Sequence, residues 1–194
     1  MDYTNTAQTG NSYNHMWDVA TTREFEGGFL FDKTTVPVGT LTLPKGALLK
    51  VDQVERKATL IKAPVLQAAL TALATEVRIL KGSHLLATDV IGTAAQAVTV
   101  GVIDTSDADY DSFAISADDL GALAVGAILQ TYDSAGAAGK VAINPDGLNY
   151  ADVELDAQPT CTVIYEAKGV QTARLPQGVT AAIKAALKFI QFIG

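Results

Sequence analysis

Leu41 and Leu43 flank Thr42, the pattern breaks at Pro44–Gly46, and apolar positions resume at Leu48, Leu49 and Val51. A period of two is that of a strand, whose successive side chains point to opposite faces. Residues 54–65 carry the next strand. Residues 75–86 alternate again at Val77, Ile79 and, past a turn at Gly82, Leu85. Short runs of this kind, bounded by Gly, Pro and Asp, predict a mainly β protein, a small barrel or sandwich of short antiparallel strands. Residues 63–77 read two ways. Leu66, Leu70 and Leu73 fit one helical face, but the segment is short and Pro64 heads it, so strand and helix both stay open.

The stretch 46–61 has an echo at 126–143: Gly-Ala, a branched pair, an Asp, then a Lys before a second apolar run. Both read as hairpins, which makes 121–143 β. Asn144, Pro145 and Asp146–Gly147 are turn formers. Residues 161–167 form one more strand, with Cys161, Val163 and Tyr165 on one face and Cys161 as an inert core thiol. Val179, Ile183 and Leu187 then recur every four residues among alanines, predicting a short C-terminal α-helix over about 179–188. The tail after it is too apolar to be left in water. It either caps the core or seals a subunit contact, which makes Phe189, Ile190, Phe192 and Ile193 candidate oligomer contacts.

Residues 1–24 differ from all of this. Thr, Asn, Gln, Ser and Gly dominate, a composition that cannot build its own core. The segment reads either as a disordered tail or as an extended arm ordered on a partner, with Tyr13 and Trp17 as anchors and Phe25 and Phe29 as further docking candidates. The chain then divides into an arm (1–24), a β domain (25–103), a second β region (104–175) and a C-terminal helix with its apolar tail (176–194).

Composition sharpens this picture. Of 194 residues, 48% are apolar and only 18% charged, against about 25% charged in a typical globular protein. Much apolar surface must be buried, some of it between subunits. The formal charge is −7, and residues 82–139 hold eight aspartates with no Lys or Arg. An acidic chain without a basic stripe is a poor nucleic-acid binder and lacks a polybasic handle for anionic lipid. A single cysteine cannot form an internal disulfide. The first seventeen residues are polar, with no apolar signal core, and no apolar run approaches the ~20 residues of a membrane span. The expectation is a protein folded in a reducing cytoplasm, without membrane insertion.

The candidate chemistry is thin. Asp107, Asp109, Asp111 and Asp118 match positions one, three, five and twelve of a calcium loop, but Ser112 stands where the sharp turn needs Gly. A solvated acidic turn over 104–119 is the favoured reading. The segment around Gly136–Val141 resembles a phosphate loop and fails twice: Ser134 replaces its first Gly and Val141 the magnesium-binding hydroxyl. His15 lies in the polar arm and His84 at a turn, and neither pairs with a nucleophile motif. The sequence thus assigns no catalytic residue, no cofactor and no metal site, and the protein reads as a non-enzyme.

Taken as an ordered series, residues 36–52, 57–63, 77–92, 103–116, 120–133, 144–153 and 174–192 resemble the head-fibre and capsid decoration proteins of tailed phages, over roughly residues 25–194. The resemblance implies a virion protein that does no chemistry, made in the host cytoplasm and bound to the outer capsid surface. Its implied partners are the major capsid protein and other copies of itself, commonly as a homotrimer, and a cell-surface glycan. Its implied work is to stabilise the shell or aid adhesion. Two other classes stay open: a β-rich carbohydrate-binding or adhesion module, which needs an aromatic platform, and a metal-dependent hydrolase using the aspartates.

Overall fold

The computed structural model describes residues 16–116, 119–155 and 158–194. Tyr13, His15 and Asp118 lie outside them. The chain is mainly β, 39% strand and 7% helical, with its sheets curled into a half-barrel.

The strands in chain order are β1 (Asp18–Glu24), β2 (Phe29–Phe31), β3 (Thr42–Leu43), β4 (Leu48–Asp52), β5 (Lys57–Leu60) and β6 (Glu76–Leu80). β7 (Val90–Gly92), β8 (Ala97–Thr99), β9 (Ile103–Asp104), β10 (Tyr110–Ala114) and β11 (Gln130–Thr131) follow. The last are β12 (Gly147–Asn149), β13 (Val153–Glu154), β14 (Thr160–Cys161), β15 (Val163–Gln171) and, after the helix α1 (Ala181–Ala186), β16 (Ile190–Ile193). The largest sheet has eight strands, in the order β1-β15-β12-β4-β5-β2-β14, with β16 added along β15.

This sheet is covered on both faces, and neighbouring residues show it. Leu48 and Leu49 are consecutive and both fully buried, as are Val163 and Ile164. Leu48 and Ile164 pack with Trp17, Ile183, Leu187 and Ile190 under α1, whereas Leu49 and Val163 pack with Phe29, Phe31 and Cys161 on the other side. Gly147 makes the centre possible. A Cβ there would meet the Ile164 carbonyl oxygen at 2.3 Å and Val163 Cγ1 at 2.6 Å, so only glycine lets β12 lie between β4 and β15. A third core, around Ile79, Ile91, Phe113 and Leu129, draws all its buried members from residues 66–129, between the small sheets β6-β10-β9 and β11-β7-β8.

Several expectations are met. β6 alternates exposed and buried residues through Val77 and Ile79, and Leu85 is buried beyond Gly82. The stretch 46–61 is the β4–β5 hairpin, pairing Leu49 with Leu60. In its echo, Tyr132 bridges Ala142, and the Ile143 N–H donates to the Thr131 carbonyl at 2.9 Å. The helix is shorter than expected, Ala181–Ala186, and starts where the Thr180 hydroxyl accepts the Ile183 N–H at 3.1 Å.

Other stretches differ. Residues 63–75 take neither regular form. Leu66 and Leu70 make isolated bridges to Ile79 and Leu123, and two backbone bonds between Leu70 and Leu123 hold the segment where a helix would have used local partners. Residues 18–24, expected in a polar arm, pair antiparallel with β15 and bring the Arg23 guanidinium to 3.3 Å from Glu166. The turn signal at 144–147 holds for its first half only, because Gly147–Asn149 is a fully buried central strand. The expected strand 161–167 is two, β14 and β15, which pair with different neighbours.

Candidate functional site

The acidic stretch is structural. The Asp104 carboxylate accepts the Ser106 N–H (2.9 Å) and Asp107 accepts that of Asp109 (2.8 Å), so each closes a local turn. The Ser106 side chain and N–H hold Asp104 below its ordinary range. Asp111 is not solvated: it faces inward from β10 and binds the Lys81 ammonium at 2.8 Å, while Lys81 also reaches the Thr105 carbonyl. Among the described residues, no group of three or more His, Cys, Asp and Glu is placed to hold a metal ion.

The residues singled out for docking divide sharply. Trp17 and Phe29 are core residues, 1% and 0% exposed. The Lys45 ammonium lies over the Trp17 ring and the Arg56 guanidinium over Phe29, so both rings are already engaged. Ile190 is buried and Phe192 half-buried against the same core. Phe189 and Ile193 remain outside, 68% and 47% exposed. The tail thus caps the core with Ile190 and Phe192 and leaves two apolar side chains uncovered.

Phe25 and Phe189 meet in one place. A cavity of about 430 Å³ opens beside the C-terminal end of α1, walled by Phe25, Tyr165 and Phe189 and rimmed by Lys50, Gln53, Asp146 and Lys188. That size falls in the range of small-molecule pockets. The Phe25 and Tyr165 rings lie 4.9 Å apart, and Phe29 braces Phe25 edge-on. Asp146 is fixed at both oxygens, Oδ1 by the Lys50 ammonium at 3.0 Å and Oδ2 by the Val51 N–H at 2.9 Å. A second cavity of about 500 Å³ shares Lys50, Val51 and Gln53 with the first and continues past Asp32, Asp52, Glu55 and Lys57. The backbone N–H groups of Glu55 and Val54 hold Asp52 below the usual carboxylate range, and the Glu55 carboxylate raises Lys57. The result is one groove with an aromatic end and a charged, hydrogen-bonding end. It can stack a flat apolar ring face and exchange hydrogen bonds with hydroxyl groups.

Reading the sequence missed Lys50, Gln53, Asp146, Tyr165 and Lys188. Lys50 and Asp146 are 96 residues apart and meet only because β12 lies against β4. The single local signal was the Pro145–Asp146 turn. Comparison with family models, with curated proteins and with solved structures finds no match for this chain.

Proposed function

We propose that the chain is a non-enzymatic structural protein of a phage particle, a head-fibre or decoration protein that binds the outer capsid surface as a homo-oligomer. The ordered series of motifs described above supports this reading, and so does the mainly β fold. The observation that carries it is the C-terminal strand. Ile190 and Phe192 fix β16 to the chain's own core, while Phe189, in the turn before it, and Ile193, at its end, stay uncovered beside β15. A fixed apolar surface suits a permanent contact better than a mobile one, because little side-chain entropy is lost on docking.

Co-sedimentation with purified capsid shells tests the reading. The truncation to compare should stop at residue 15, because removing residues 16–24 also removes Trp17 from the core and β1 from the sheet. Pelleting of the full chain with shells is the expected outcome. A full chain that stays in solution beside intact shells would sink the proposal.

The groove favours a second reading, a β-rich carbohydrate-binding or adhesion module, because its aromatic end supplies the platform that the sequence did not reveal. With a net charge of −7 over the chain, neutral glycans are better ligands than anionic ones. Calorimetric titration with neutral hexose oligosaccharides, with Phe189→Ala beside the parent, separates the readings. Binding that Phe189→Ala weakens tenfold or more supports adhesion, and no heat from any neutral oligosaccharide removes it.

A further inference from the structure

Lys62 stands apart from every other lysine in the chain. It lies just after β5, on the crossing from the large sheet to the core built by residues 66–129, and is 3% exposed. Its Nζ is 2.5 Å from Oδ2 of Asp89, which also accepts the Leu86 N–H at 2.6 Å. The residue is pinned at its main chain too: its N–H donates to the Thr131 hydroxyl, and that hydroxyl donates to its carbonyl. Burial lowers the ammonium's proton affinity, against the pull of Asp89, and so favours the neutral amine. The loop carrying the carboxylate is held under strain. Among the described residues only Arg56, His84 and Thr88 are non-glycine residues with positive φ, and two of the three lie in this loop. Thr88, at φ 86°, is β-branched, where such a conformation is a genuine outlier. His84, at φ 55°, is half-buried, and burial followed by the Lys62 charge pushes its imidazole down.

A buried amine fixed against a carboxyl group is the arrangement from which an amide forms. We propose that Lys62 and Asp89 condense into an intramolecular isopeptide bond. The proton passes from the ammonium to the carboxylate, giving a neutral amine and a neutral acid. The Lys62 nitrogen attacks Cγ of Asp89, forming the N–C bond. The second amine proton passes to the departing hydroxyl, and the C–O bond breaks to release one water. No oxidant, reductant or further reactant enters. Fixed proximity replaces the activation that such a condensation needs in free solution. The product ties the large sheet to the 66–129 core across 27 residues of chain.

Intact-mass measurement of the full, natively folded chain tests this directly. The expected mass is one water below that of the sequence, and trypsin should then fail to cut after Lys62, leaving a branched peptide that joins residues 58–78 to residues 82–140. Locating the loss by peptide matters, because Asp146–Gly147 can also lose water to a succinimide. Lys62→Met and Asp89→Ala should each restore the full mass. A parent chain that keeps its full mass and is cut normally after Lys62, after days in the folded state, overturns the proposal.

Discussion

Single side chains hold together groups that lie far apart in the chain. Gln177 is buried, accepts the Leu48 N–H at 2.7 Å and donates to the Ile61 carbonyl at 2.7 Å. A leucine there would keep the volume and strand both backbone groups. Each buried group left unpaired costs about 1–3 kcal/mol. Gln177→Leu should therefore lower the urea midpoint sharply, and an unchanged midpoint would mean that water replaces the amide. Cys161 offers a pH test. Burial pushes its thiol up to about 11 from an ordinary 9.0. The folded state then holds its proton more tightly than the unfolded state, so this contribution to stability is full below pH 9 and is lost as pH rises through about 11. At pH 8 the native thiol should resist alkylation that proceeds readily in urea. Rapid labelling of the native protein would contradict that burial.

Elements show where sequence patterns hold and where they fail. β6 was legible because one of its faces is core and the other is water, so burial writes period two into Glu76–Leu80. The helix was legible from Val179, Ile183 and Leu187, though it ends at Ala186, after which the chain turns to form β16. Residues 63–75 were not legible, because their hydrogen bonds go to Ala127, Leu123 and Arg78, partners that no local window contains. β12 was hidden for another reason: three residues with a leading glycine look like a turn until the neighbours on either side are known. Gly147→Ala tests that element. Overpacking of this kind costs about 1–3 kcal/mol and sometimes more, and here the obstacle is backbone, which cannot step aside. The expected result is a lower melting temperature together with faster hydrogen exchange in both β4 and β15. Exchange loosened at β12 alone would show that the sheet tolerates the added methyl. The candidate groove was illegible on the same grounds, since residues 25, 50, 146, 165 and 189 are brought together by five different elements or loops.

At the scale of the whole molecule, two of the expected anchors prove to be core and two of the expected contacts remain outside. The aromatic residues Trp17 and Phe29 drew notice in the sequence because they were large, and size is what the core uses. Exposure selects Phe189 and Ile193 instead. Replacing both with serine should leave the melting temperature within about 4 °C of the parent, because each surface change away from special features stays within about ±0.5 kcal/mol. If the proposed assembly uses this face, the same double variant should sediment as a smaller species at equal concentration. An unchanged sedimentation coefficient would move the interface elsewhere, with exposed Val38 and Leu41 the next surface to test.

β15 meets β1 on one edge, and β12 and then β16 on the other. Its last residue donates to the Met16 carbonyl at 3.0 Å, and the following Thr172 hydroxyl donates to the Gly194 carbonyl at 2.8 Å. Residue 16 and residue 194 are therefore tethered to adjacent points on one scaffold. The chain is closed in space though open in sequence, and residues 1–15 are long enough to serve as the bridge between Gly194 and Met16. A circular permutant joined there, with new ends cut in the exposed turn at 53–55, should keep the sheet order and both cores. The same geometry means that a pull applied between Met16 and Gly194 peels strands from β15 one bond at a time rather than shearing the whole sheet.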